Sequence, residues 1–530
     1  MSKQRNYWGW GYADFEFPQE NLENFKALLK ATLQIEEFEQ HEVKSVDDLD
    51  LRNPRFDIPH TLSELCSSSN YERARHSYGM AFRDVWRGFH GQFPNPPDYV
   101  AFPQDENDII QLMEFASAND VSLIPVGGGS SVCGGIEPTS NESYKGVISV
   151  DMMHFNKILE VDKESRSAHI QAGMYGPALE AALKPHGYTL RHYPQSFEFS
   201  TLGGWIATRA GGHFATLYTH IDEFVQSVSM VTPKGKLESR RLPGSGAGPS
   251  EERFYTGSEG ILGIITSAWM RLQEIPKYKK MITVNFPSFE AGAEAAKALA
   301  QSGLNPANAR LIDRMEAFTN GLGDGQSDVL IVGFESHQRE VIYYMKEALS
   351  LCEKYGGTWD AKRLNETKRS EKGDTWKKSF LLAPYLRDEM MKLGAILETF
   401  ETAVTWDQYP EFYKNVKKAA QDAVNKYCGA GLVTCRFTHI YPDGPAPYFT
   451  IITKGEKGRQ LEQWDNIKNE VSQAIIDNGG TITHHHAVGK DHRPFYSQQH
   501  TPIFGNILRA AKDEVDPKWI MNPGVLLPER

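Results

Sequence analysis

The sequence predicts an α+β protein of at least two domains, and three observations carry that prediction. The chain has 530 residues, 40% hydrophobic and 24% charged, enough for more than one core at roughly 100–200 residues per domain. Its first half mixes short strand patterns with amphipathic helices without forming a strict βαβ series. Its second half, from about residue 280, opens a different pattern of strand–helix pairs.

Residues 19–50 are charge-rich, with Phe25, Leu28, Leu29 and Leu33 at helical spacing, which predicts a helical N-terminal appendage. The proline-rich stretch GQFPNPPDYV (91–100) marks a boundary, so residues 1–94 form an N-terminal helical and irregular segment. Ile109, Leu112, Met113 and Ala116 follow i, i+3, i+4, i+7 and predict a helix over 105–118. VSLIPV (121–126), VISVD (147–151), SAHIQAG (167–173) and VQSVSMVT (225–232) read as strands, and TPKG (232–235) as a turn. PALEAALKPHG (177–187) is a helix with Pro177 in its first turn and Gly187 at its end. Further on, MITVNFP and DVLIVGFE are strand-like and each precedes a helix (289–301 and 337–355), which predicts a ferredoxin-like layer. Helices over 374–395 and 410–427, a strand pair near 432–453 and a final helix over 461–478 complete the pattern.

Composition narrows the function. With 57 basic against 68 acidic side chains, the formal charge is -11, which argues against a general nucleic-acid binder but leaves room for a local anion pocket. Mean hydropathy is -0.48, and no run approaches the ~20 apolar residues of a spanning helix. The run MSKQRNYWGWGY has no apolar signal region, LLPER is not an SKL-type peroxisomal address, and the five cysteines are scattered without CxxC spacing. A reduced, cytoplasmic chain without disulfides is the expectation.

The most informative stretch is Pro125-Val126-Gly127-Gly128-Gly129-Ser130-Ser131. Consecutive glycines admit positive φ and turn N–H groups toward one point, a nest that a pyrophosphate can approach closely. The run is neither a GxGxxG fingerprint nor a GxxxxGK[ST] loop. Alone it reads equally well as a plain turn. Two more glycine-dense, low-charge loops follow, over 194–212 and 257–266. Three such loops in one α+β domain predict an extended cofactor with a backbone-lined diphosphate and a covered flat ring.

Three features stand out in the second half: Tyr385-Leu386-Arg387-Asp388 followed by ETFET (398–402), Tyr448-Phe449 after a Pro/Gly turn, and THHHAVGK (483–490). If TITHHHAV is a strand, alternation puts His484 and His486 on one face and His485 on the other. No carboxylate at ligand spacing accompanies them, so no metal is expected. They are then either ordinary histidines or imidazoles that move protons or bind an anionic group. Arg387 is either half of a solvated pair with Asp388 or a bidentate anchor for phosphate or carboxylate. Tyr448 is core unless its hydroxyl reaches the cofactor.

At the three glycine-rich loops the sequence resembles the FAD-binding domain of the vanillyl-alcohol oxidase (PCMH-type) family, over residues 95–278. The resemblance implies a two-subdomain FAD-binding domain. Over 279–530 it implies a substrate-binding cap domain, whose DP-x-x-x-x-NPG ending (VDPKWIMNPGVLL, 515–527) returns to the FAD domain. It implies that Pro125, Val126, Gly127, Gly128, Gly129, Ser130 and Ser131 form the pyrophosphate loop. Gln195, Ser196, Phe197, Glu198, Phe199, Ser200 and Thr201 would contact FAD. So would Thr208, Arg209, Ala210 and Gly211, and Glu259, Gly260, Ile261, Leu262, Gly263, Ile264 and Ile265. Many members tether flavin through a histidine in the first loop; Gly129-Ser130-Ser131 here implies non-covalent FAD.

Trp8-Gly9-Trp10-Gly11-Tyr12, EFSTLGGWIATRAGG (198–212), YLRD, ETFET and THHHAVGK together resemble one branch, the alkyldihydroxyacetonephosphate synthases, over nearly the whole chain. That branch implies exchange of the acyl group of acyl-dihydroxyacetone phosphate for a long-chain fatty alcohol, through a flavin N5 adduct and without net redox change. Tyr448 would be the acid/base residue and Arg387 the substrate anchor. His484, His485 and His486 would serve headgroup binding and proton handling. Lipid substrates imply peripheral membrane contact, and the branch is compatible with a homodimer. The alternative chemistry is that of an FAD oxidase or dehydrogenase of a hydroxy acid or alcohol. The chain departs from the branch at Pro243-Gly244-Ser245-Gly246-Ala247-Gly248-Pro249, where the family's P-R-x-S-T-G-P loop carries an arginine. Pro445 and Pro447 before Tyr448, and Lys490-Asp491-His492-Arg493 after the triplet, are further departures. With the peroxisomal address absent, a bacterial-type relative is expected.

Overall fold

The computed structural model describes residues 4–33, 42–218, 220–365 and 371–530. Its first sheet has four strands in the order Cys66–Ser67, Tyr99–Ala101, Gly146–Asp151, Val121–Val126. The last two run parallel, as do Tyr99–Ala101 and Gly146–Asp151, so the chain must cross over between neighbours. Helix Glu106–Asn119 makes one crossover and buries Ile109, Leu112, Met113 and Ala116, the four positions its periodicity predicts. Asp105 caps it by accepting from the N–H groups of Asn107 and Asp108.

The second sheet is antiparallel, with five strands in the order Ile158–Asp162, Ser167–Gln171, Ile264–Arg271, Val225–Thr232, Gly235–Glu238. These two sheets make the two subdomains of the flavin half. The N-terminal stretch is helical in separate pieces, Gln19–Leu33, His60–Ser63, Asn70–Arg75 and Phe82–Phe89, with a short turn at Val46–Asp48, and residues 34–41 lie outside the described residues. Cys66–Ser67 from that stretch adds the edge strand of the first sheet.

The cap is a six-stranded antiparallel sheet ordered Tyr278–Phe286, Asp328–Ser336, Asn308–Ile312, Gly431–Ile440, Pro445–Lys454, Ala395–Glu401. Helices Phe289–Gln301, Ile342–Glu353, Tyr409–Cys428 and Gln460–Asp477 cover one face. Ala296, Leu349, Val416 and Ile467 pack there in one core with Val433, Cys435, Phe449 and Ile451. The predicted strand–helix pairs are therefore parts of one wider layer. Two more helices, Arg493–Gln499 and Pro502–Val515, follow the one predicted to be last.

The chain then returns to the first sheet. Leu123 donates its N–H to Ile520 at 2.7 Å, and Asn522 donates to Leu123 at 2.8 Å. The Asp516 carboxylate holds this turn by accepting from the N–H groups of Ile520 and Met521. All five cysteines are free. Among the described residues, no helix is long and apolar enough to cross a membrane.

Candidate active site

A cavity of about 370 Å³ lies between the two halves. Its flavin side is lined by Pro125 through Ser131, by Gln195, Ser196, Ser200 and Thr201, by Thr208, Ala210 and Gly211, and by Glu259, Gly260, Gly263, Ile264 and Ile265. A Cβ at Gly128 would run into the Phe199 carbonyl, and Gly129 sits at φ +71. Loop and support are in contact, which leaves a bare backbone surface facing the cavity. Such a surface fits an FAD diphosphate.

Six residues of the predicted cofactor segments do not reach the cavity. The turn Phe197–Phe199 directs Glu198 to solvent, packs Phe197 beside Tyr193 with ring centroids 4.7 Å apart, and buries Phe199 against Trp10 and Tyr12. Arg209 ends helix Leu202–Thr208 in the left-handed region and pairs with Asp222 at 3.0 Å. Ile261 and Leu262 belong to the core under the five-stranded sheet. The loop Pro243–Pro249, where the family arginine is missing, is solvent-exposed and lines no part of the cavity.

The cap side is built by strand register. On the face away from the helices, three neighbouring strands present cross-strand rows: Arg436, Tyr448 and Glu401; Thr434, Thr450 and Thr399; Leu432, Ile452 and Leu397. All of these except Glu401 line the cavity. Rows lie about 7 Å apart, at roughly 3.4 Å per residue. Polarity thus falls along one sheet face from an ionic row, through hydroxyls, to hydrocarbon. Phe25, Ala383, Pro384 and Leu386 also line this side of the cavity.

Tyr448 is 5% exposed. The Arg436 guanidinium carbon lies 3.8 Å from the centre of its ring, and Arg436 Nη1 donates to Glu316 Oε1. Burial pushes the Tyr448 phenol up, and the Arg436 cation opposes it.

The histidine stretch is not a strand. Residues 481–487 bend, because one carboxylate oxygen, Glu401 Oε1, accepts the N–H groups of His484, His485 and His486 at 2.9, 2.7 and 2.6 Å. Burial would raise the Glu401 carboxyl, but contacts with His485, His486 and His484 hold it well below the usual range. His485 and His486 face the cavity; His484 does not. His484 Nε2 instead lies 2.9 Å from Tyr441 Oη and 3.0 Å from His220 Nε2. Burial keeps the His486 imidazole neutral, with its pKa lowered to about 3, and lowers that of His484 well below the ordinary value. The predicted alternation of faces is not observed: His484 Nδ1 and His485 Nδ1 lie 3.0 Å apart, and they bring ligand atoms within 4.8 Å of His439, a group that does not include His486. The missing carboxylate is also present, in Glu401 from a strand some 80 residues earlier.

Glu259 joins the two sides. Its carboxylate accepts the N–H groups of Val488 and Gly489 at 2.8 and 2.7 Å, and burial raises it to about 7. Arg387 faces the cavity with Nε and Nη2 buried and unbonded, and its Nη2 stands 3.5 Å from Asp388 Oδ1. Asp388 is occupied on its other oxygen by the Trp10 N–H at 2.6 Å, so the WGWGY strap positions the segment carrying Arg387. Sequence reasoning missed Arg436, Glu316 and the threonine row, and it gave Glu401 no role. The period-two pattern Leu432, Thr434, Arg436 against Tyr448, Thr450, Ile452 was the available signal.

Comparison with known proteins agrees with this architecture. The family model described as an FAD binding domain matches residues 97–239, and that of the FAD linked oxidases, C-terminal domain, matches 275–526. An alkyldihydroxyacetonephosphate synthase of Dictyostelium discoideum is 32% identical over 485 residues, covering 86% of this chain and 77% of its own. The one of Trypanosoma brucei brucei is 29% identical over 484 residues, covering 86% and 78%. A solved alkyldihydroxyacetonephosphate synthase superposes with a TM-score of 0.83 at 26% identity, covering 98% of each chain. The chain belongs to the alkyldihydroxyacetonephosphate synthase family of FAD-binding proteins.

Proposed function

We propose that this chain exchanges the acyl group of acyl-dihydroxyacetone phosphate for a long-chain fatty alcohol, releasing the fatty acid, with residues 95–278 as flavin domain and 279–530 as cap. The observation that carries the reading is the ordered polarity of the cap sheet. Arg436 and Tyr448 stand about 14 Å, at roughly 3.4 Å per residue, from the hydrocarbon row of Leu432, Ile452 and Leu397. A substrate with a charged, reactive end and a long aliphatic chain matches that gradient; a small hydroxy acid leaves the apolar end unfilled.

FAD, held by the glycine loops without a covalent tether, supplies an electrophilic ring nitrogen to a cycle with no net electron transfer. Arg387, a cation on the cavity wall whose Nε makes no hydrogen bond and whose Nη2 stands 3.5 Å from Asp388, binds the phosphate. Tyr448, ionised to the phenolate that the neighbouring Arg436 cation favours, takes the proton from the carbon beside the ketone and becomes the phenol. His485 handles protons at the headgroup and His486, neutral beside it on the cavity, offers a hydrogen bond there, while His484 fixes their loop through Tyr441. Such substrates reside in lipid surfaces, so peripheral membrane contact accompanies the reading.

The test supplies purified protein with acyl-dihydroxyacetone phosphate and hexadecanol. Alkyl product with equimolar fatty acid, and without O2 consumption, is expected. Substrate-dependent acceptor reduction without alkyl product would overturn the reading in favour of an oxidoreductase.

A further inference from the structure

The flavin side of the cavity has no lysine or arginine among its described lining residues, yet a diphosphate carries two negative charges. A cation stands directly behind the glycine loop. Arg75, the last residue of the helix Asn70–Arg75, is 7% exposed. Its Nη2 donates to the Gly128 carbonyl at 2.9 Å, while Nη1 is buried without a hydrogen-bond partner. A Cβ on Gly129 would come within 2.6 Å of Nη1. Arg75 makes no ion pair among the described residues; Glu72, on the same helix, lies 3.6 Å from His76 instead.

Peptide geometry gives this contact a direction. In a trans peptide the C=O and N–H point opposite ways, and there is no cis bond among the described residues. With the Gly128 carbonyl fixed on Arg75, the Gly129 N–H is turned away from it, toward the cavity that both glycines line. A second guanidinium, Arg5, lies 4.1 Å from the Phe199 ring centre. Its pKa falls to about 10, through burial and then the charge of Arg75. Positive charge therefore accumulates behind the loop without a carboxylate paired to Arg75.

We propose that Arg75 is a positioning residue for the FAD diphosphate: it sets the Gly128–Gly129 peptide with its N–H toward the cofactor and supplies the cation that the loop lacks. It acts through the loop and touches no reacting atom. FAD retention can be read without turnover, so a failure here leaves the proposed reaction standing.

The experiment dilutes the holoproteins of wild type, R75M and R75K and follows released flavin by fluorescence, at about 50 and about 500 mM NaCl, where screening lengths differ severalfold. R75M is expected to weaken FAD binding about tenfold or more, at both salt concentrations, because a buried charge is screened little. R75K keeps the charge and is expected to stay within about threefold of wild type. R75M holding FAD within about twofold of wild type at low salt would overturn the proposal. A loss in R75K equal to that in R75M would also overturn it, because the charge would then play no part. If R75M does not fold, R75Q against R75K carries the same comparison.

Discussion

Arg436 stands directly opposite Tyr448 across an antiparallel strand pair, with its guanidinium carbon 3.8 Å from the centre of the phenol ring. A cation there favours the phenolate over the phenol. In R436M that support is gone, and burial alone sets the phenol higher. The limb of the pH–rate profile that rises as Tyr448 ionises should move to higher pH. A profile identical to wild type would remove Arg436 from the tuning of Tyr448.

Tyr448→Phe and His485→Ala should each lower turnover by about 10²–10⁴ while FAD stays bound, because neither residue belongs to the glycine loops. Absorbance of the bound flavin and a turnover assay on the same sample check both halves. Full activity in either variant takes that residue out of the mechanism.

Leu432→Trp fills the apolar row between the strands Ala395–Glu401 and Gly431–Ile440 without touching the ionic row. Its kcat/KM should fall about tenfold or more for hexadecanol, a cost of about 1.4 kcal/mol. The loss should be smaller for short alcohols. Equal losses for all chain lengths would show that the row does not hold the aliphatic chain.

Glu259 should make stability pH-dependent. Its folded pKa, raised to about 7 by burial, exceeds that of an unfolded glutamate near 4.3. The folded state therefore binds the proton more tightly. The stabilisation is complete below about 4.3 and lost as pH rises through about 7, at most about 4 kcal/mol in all. Thermal melts of Glu259→Gln against wild type should show a Tm difference that grows in favour of the variant between about pH 5 and 8. A difference independent of pH would contradict the shift.

The glycine loops were legible because their function is carried by backbone, and glycine is the residue through which sequence reports backbone freedom. The same local logic found helix Glu106–Asn119, whose four buried positions are all periodic. It failed at TITHHHAV. The composition there suits a strand, but a single carboxylate 83 residues upstream of His484 collects three successive N–H groups and bends the chain. Arg436, Glu316 and Arg75 were illegible for a related reason. Each acquires its role from a partner brought by register or packing, and a strand pattern does not say which residue stands opposite. Phe197 and Ile261 show the reverse error, since a motif that touches a cofactor also contains the side chains that hold it in the core.

The turn Asp516–Asn522 that docks on Leu123 makes the flavin half discontinuous in the chain. Its Asn522 amide donates to the carbonyls of Gly135 at 3.0 Å and Glu259 at 2.7 Å, next to two of the glycine loops. During vectorial synthesis, therefore, the cofactor cradle is completed only by residues that leave the ribosome after the whole cap. Excising residues 95–278 as an independent module removes a wall of the cradle, so dissection by domain boundary and dissection by function do not coincide in this protein.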